Sequence, residues 1–219
     1  MKIYCISLPE RVSYCNDFFK TLNPPLEVHF IETCLADNIE DYPKQTFISP
    51  QKTTKYDFVA PNYRQKKTKL ACSISHRNAL NTFLQTDESL CIIMEDDNEL
   101  PTQNQIATFN YWMQWLAQNH EKFHFVNLSP CLSKASSRSF SRSSLHPNLY
   151  RASSYCMNCY CVTRQGAIEL LMKTLTQKNH TLDMFLSSLM HAYDIHPRVF
   201  SQNIEKSSLA NVPSPPEYY

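Results

Sequence analysis

The chain has 219 residues, 42% hydrophobic and 12% aromatic, with a formal net charge of +1. That length carries one substantial core and the composition is that of a folded globule, while near-neutrality removes any global pull toward nucleic acid or membrane. Gly166 is the only glycine in the sequence, which excludes a Walker A loop and a dinucleotide fingerprint, so phosphates must be held by metal and side chains.

Lys2 to Leu8 reads as a strand. The apolar run in MKIYCISLPERV is too short and too strand-like for a signal peptide or membrane helix, which predicts a soluble, cytoplasmic protein with no transmembrane segment. Without a signal peptide, the nine cysteines are expected to be thiols rather than disulfides. A helix over Glu10 to Leu22 is closed by Pro24 and Pro25. Leu26 to Thr33 alternates as a second strand, and Asp37 to Lys69 is a long polar stretch without periodicity. Within it Arg64, Lys66, Lys67 and Lys69 read as a solvated surface, one or two of them in reach of a diphosphate or an anionic acceptor.

From Leu70 to Gln85, Cys72, Ala79, Leu80, Phe83 and Leu84 fall on one helical face that also carries His76. A strand from Ser89 to Met94 then drives into Glu95, Asp96, Asp97 and Glu99. Four carboxylates in five residues repel one another, and a strand ending in them can hold a hard divalent cation at the edge of a sheet. An acidic turn after a strand accounts for the same spacing equally well.

A helix over Thr102 to Asn119 and a short strand over Phe123 to Leu128 follow. Ser133 to His146 reads as a serine-rich loop whose Lys134, Arg138 and Arg142 give too little charge for a nucleic-acid footprint. Tyr150 to Thr163 reads as one or two strands, in which the alternation of YCMNCYC favours small apolar thiols over a metal clip of Cys156, Cys159 and Cys161. Gly166 to Leu175 and Leu182 to Tyr193 read as helices, Asp194 to Phe200 as a last strand, and NVPSPPEYY as an extended tail. The alternation implies one α/β domain over residues 1–207, with a mostly parallel sheet covered by helices on both faces and a tail over 208–219. Ligands bind such sheets beyond the carboxyl ends of the strands, where Ser7 to Arg11 and Glu95 to Asp97 both lie.

ISLPER, ISHRNAL, IIMEDD, YCVTRQGAIELL and TLDMFL, in that order between Lys2 and Ser207, resemble glycosyltransferase family 25, the domain of lipooligosaccharide biosynthesis and collagen galactosyltransferases. The resemblance implies a GT-A-like fold, a UDP-sugar donor with galactose foremost, and a manganese or magnesium ion. It implies that Asp97 binds the metal directly, that Glu95 acts on the ribose or through water, and that Asp96 is the local alternative. Ser7, Arg11, Ser75 and His76 fall near the nucleotide. If the reaction inverts the sugar carbon, a carboxylate must take the acceptor proton; Asp183 matches the family aspartate, although an acid at a helix N-terminus explains it as well. His196 or His191 is a candidate third metal ligand, against the default of a partly buried or surface histidine. The sequence departs from the family in lacking a glycine before Ser75 and in placing Val12 where a second basic residue is expected beside Arg11. The resemblance implies a glycan, lipooligosaccharide or protein hydroxyl as the acceptor. A binding or adhesion module that keeps the fold without catalysis is the rival from another class.

Overall fold

A computed structural model describes residues 1–22, 26–35, 63–130, 141–152, 156–176 and 182–203. Its centre is a seven-stranded sheet of β1 (Lys2–Ser7), β2 (Val28–Glu32), β3 (Leu90–Glu95), β4 (Phe125–Asn127), β5 (Leu149–Arg151), β6 (Cys159–Thr163) and β7 (Ala192–Ile195). The spatial order is β2-β1-β3-β6-β4-β7-β5. Pairs β1/β2, β1/β3 and β4/β7 are parallel, and β3/β6, β4/β6 and β5/β7 antiparallel. The α/β class is as expected, but the sheet is more mixed than the element order implies, because β6 runs against both its neighbours. That reversal brings the start of β6 to the rim where β1, β3, β4 and β7 end.

The helices are α1 (Val12–Thr21), α2 (Tyr63–Leu84), α3 (Gln103–Asn119) and α4 (Arg164–Thr176). Successive strand residues point to opposite faces, and the core divides accordingly. Ile3 and Cys5 of β1 with Ile92 and Met94 of β3 meet Phe18 of α1 and Phe109, Trp112 and Leu116 of α3. Tyr4, Ile6, Cys91 and Ile93 meet Leu80 and Phe83 of α2 and Leu170 of α4. Each fully buried Phe or Leu contributes about 1.5–3 kcal/mol. The start of α3 is fixed by a capping box, in which the Gln105 amide donates to the Thr102 hydroxyl and the Thr102 amide to the Gln105 side chain, satisfying two otherwise orphaned donors.

Gly166 serves packing: a Cβ there would overlap the His124 carbonyl, so only glycine lets α4 approach β4 this closely. Arg164, two residues earlier, completes the join, donating to Leu84 O at 3.0 Å at the open carboxyl end of α2.

Two expectations need correction. Tyr63 to Lys69 is helical, not irregular; its Arg, Gln and Lys residues favour helix without supplying an apolar period. The rest of that polar stretch falls outside the described residues. Leu182 to Tyr193 is not one helix but a 3-10 segment, Leu182–Ser188, followed by β7. The thiol expectation is also revised: Cys156 is disulfide-bonded, while Cys5, Cys15, Cys34, Cys72, Cys91, Cys159 and Cys161 are not. With the Cys156 sulfur in a disulfide and Cys159 and Cys161 fully buried in β6, the three do not form a cysteine clip. Most of the serine-rich loop and the tail after residue 203 lie outside the described residues. No helix of the described residues is long and apolar enough to cross a membrane.

Candidate functional site

The strand order reverses between β1 and β3, the place where open α/β sheets bind ligands. The acidic run lies here and its three carboxylates take three directions. Strand parity turns Glu95 toward α2, where its Oε1 lies 3.0 Å from His76 Nε2 and accepts from the Cys72 thiol at 3.4 Å. On the other side of the ring, His76 Nδ1 is 3.1 Å from the Tyr160 hydroxyl. Burial works to raise the Glu95 carboxyl, but the hydrogen bond and field of His76, together with the hydrogen bonds of Cys72 and Asn158, outweigh it, and the net shift is downward.

Asp96 turns to the loop after β1. It accepts from the Leu8 amide at 2.8 Å and from Arg11 Nη1 at 3.1 Å. Sequence places these residues far apart, and the parallel pairing of β1 with β3 brings them to one corner. Arg11 therefore stands beside the acids.

Asp97 turns inward and is only 5% exposed. Its Oδ1 accepts from Asn158 Nδ2 at 2.6 Å and its Oδ2 from Gln202 Nε2 at 2.7 Å. Burial first, and then the neighbouring charge of Glu95, push its carboxyl up to about 7. Beside it the buried Oδ1 atoms of Asn98 and Asn158 have no hydrogen-bond partner among the described residues. Leaving such an acceptor unmet costs about 1–3 kcal/mol, a cost that a donor or a cation there would relieve.

The other expected residues are placed less favourably. Ser7 is buried, donates to Leu8 O at 2.9 Å and lies against Cys15. Ser75 accepts from the Cys34 amide at 2.8 Å and donates to Ala71 O at 2.9 Å, pinning the end of β2 to α2. Both are engaged with the fold. His196 follows β7 on the correct rim, but β7 is three strands from β3, about 14 Å by strand spacing, and its ring packs on Tyr150. His191 precedes β7, hence at the opposite rim, against His124. The structure does not bring either histidine to the acids. The Asp183 side chain lies outside the described residues; its neighbour Leu182 donates its amide to Ser73 Oγ at 3.3 Å, which ties that backbone to α2 one residue from Cys72. The side chains of Arg64, Lys66 and Lys67 also lie outside the described residues, and Lys69 is exposed.

Sequence reasoning missed Asn158, Gln202 and Tyr160. Asn158 had one signal, a lone amide at the head of an otherwise apolar strand. Gln202 had none, since it arrives through the bridge that pairs its backbone with Asn98.

The sequence matches glycosyltransferase family 25, described as an LPS biosynthesis protein, over residues 1–186. Among solved structures, a protein from STIV is 10% identical over 91% of this chain and 83% of that chain, with a TM-score of 0.42. Glucosyl-3-phosphoglycerate synthase from Mycobacterium tuberculosis, in complex with Mn2+, UDP-glucose and phosphoglyceric acid, is 14% identical over 92% of this chain and 71% of that one, with a TM-score of 0.41. Likeness of this degree assigns no role to any residue. No curated protein matches the chain.

Proposed function

This chain belongs to glycosyltransferase family 25, and we propose that it moves a sugar, galactose in the first instance, from a UDP-sugar to a hydroxyl of a glycan, lipooligosaccharide or protein acceptor. The observation that carries the reading is the joining of two strand ends through Asp96, Leu8 and Arg11, which makes one corner of acids and a cation at the ligand-binding rim. A departing nucleoside diphosphate gathers negative charge, and fixed positive groups stabilise it most when they need not reorganise. Asp96 holds Arg11 in this way. Its own carboxylate is occupied by the two hydrogen bonds and acts as a positioning group.

The corner also fits a hard divalent cation. Burial and Glu95 raise Asp97, a crowding that a cation relieves, and the unmet Oδ1 atoms of Asn98 and Asn158 are the oxygen donors such ions take. Asp97 would hold manganese or magnesium, with Asn158 completing the set in place of His196, while Glu95 is turned away to His76. When bound, the ion supplies Lewis-acid stabilisation of the leaving diphosphate. Asp183 remains the candidate base, supported by the hydrogen bond that fastens its neighbour to α2.

The test is a UDP-release assay across UDP-sugars, with and without manganese. Metal-dependent release with one sugar, lost in a folded Asp97→Ala variant, is the expected result. Unchanged turnover in that variant overturns the site, and no release with any sugar or candidate acceptor returns the chain to a non-catalytic binding module.

A further inference from the structure

We propose that Cys72, His76 and Glu95 form a second cation site, selective for a thiophilic divalent ion such as zinc, distinct in chemistry from the all-oxygen corner at Asp97. Cys72 and His76 stand four residues apart on α2 and so share one helical face. Glu95, the last residue of β3, points at that face because Cys91 and Ile93 of the same parity already pack against α2. Their ligand atoms, Sγ, Nε2 and a carboxylate oxygen, all lie within 4.8 Å of one another.

Those separations are close to what a tetrahedral ion needs. Zinc bond lengths to sulfur, nitrogen and oxygen set ligand-to-ligand edges of about 3.4–3.6 Å. The thiol-to-carboxylate edge is 3.4 Å and the imidazole-to-carboxylate edge 3.0 Å, so on these two edges the side chains part by only a few tenths of an ångström to admit the ion, and the thiol-to-imidazole edge is no longer than 4.8 Å. A thiolate selects against manganese and magnesium and for zinc. The outer partner is in place too: a metal-bound histidine orients its ring through its other nitrogen, and His76 Nδ1 already faces the Tyr160 hydroxyl at 3.1 Å. Three protein ligands leave a fourth position, and the 23% exposure of the Glu95 side chain gives the ion an approach.

The ion changes the hydrogen bonding in a defined way. Without it, His76 Nε2–H donates to Glu95 and Nδ1 accepts from Tyr160; with it, Nε2 carries the metal, Nδ1–H donates to Tyr160, and the Cys72 proton goes to solvent. The proposal does not depend on the transfer reading, and its test reads metal rather than turnover.

The reduced full-length protein, stripped with EDTA, is titrated with Co2+ and the thiolate-to-cobalt charge-transfer band is recorded, then displaced with Zn2+. The expected result is one equivalent with a thiolate band that Zn2+ abolishes. Cys72→Ser removes the band, Tyr160→Phe weakens binding about 10–100-fold, and Asp97→Asn retains the band. Nitrogen-15 NMR of the unaltered chain, independent of any variant's folding, shows the tautomer change at His76 on adding Zn2+. Absence of a stoichiometric band, its survival in folded Cys72→Ser, its loss in folded Asp97→Asn, or an unchanged His76 tautomer overturns the site.

Discussion

The two faces of the sheet are built from different chemistry. Toward α1 and α3 the packing is largely apolar, with Phe200 in edge contact with Phe18 and in tilted contact with Phe109. Toward α2 and α4 the same sheet buries a polar chain, Tyr160 to His76 to Glu95, with Tyr160 stacked on Phe125 at 4.9 Å. Burial pushes the Tyr160 hydroxyl well above its ordinary value, which keeps it a neutral donor or acceptor. The difference teaches that one face fixes the sheet while the other aims the first of the three acids, and that stability and activity are separable by face.

The largest test of that separation is Phe109→Ala. It should cost about 3–5 kcal/mol in a denaturant melt, with turnover per folded molecule unchanged; a comparable loss of turnover breaks the comparison. Asp97→Ala should do the reverse, lowering UDP release by about 10²–10³-fold while the far-ultraviolet circular dichroism stays native. Tyr160→Phe sharpens it on the polar face. Losing one buried hydrogen bond should cost about 1 kcal/mol in the same melt, and a neutral result would show that His76 is held by packing alone.

The last test is in pH. With EDTA present, the folded Asp97 carboxyl sits at about 7, above its unfolded value of about 3.9, so the native state binds the extra proton. Its contribution is therefore fully present below about pH 4 and is lost as pH rises through 7. The melting temperature of the protein relative to Asp97→Asn should fall across that window and level off above it. A flat difference would mean that Asn158 and Gln202 already compensate the charge.

Much of the apolar architecture was legible in the sequence because it is periodic. The faces of α2 and α3 follow from 3.6-residue spacing, and the capping residues Thr102 and Gln105 mark where α3 starts. The segment after Leu182 was not, because Leu182, Phe185, Leu186 and Leu189 are buried alike in a 3-10 turn or a longer helix, and β7 is too short to show its own period. The acids were legible as a cluster, but not their divergence. Which carboxylate meets Arg11, which His76 and which the amides of Asn158 and Gln202 is decided by strand register and by the reversed course of β6, and neither is written locally. The choice of His196 as a third ligand failed for the same reason: strand order, not sequence distance, puts β7 three places away.

The scarcity of glycine bears on the unfolded chain as much as on the packing at Gly166. A sequence of this length ordinarily carries about 15 glycines, and each one replaced where the native backbone tolerates a side chain narrows the denatured ensemble by about 0.4–1 kcal/mol. The described backbone tolerates it, since His191 alone among its non-glycine residues takes a positive φ, at 52°. Thirteen prolines restrict the unfolded chain further. The protein gives up less backbone freedom on folding than its length suggests, by several kcal/mol.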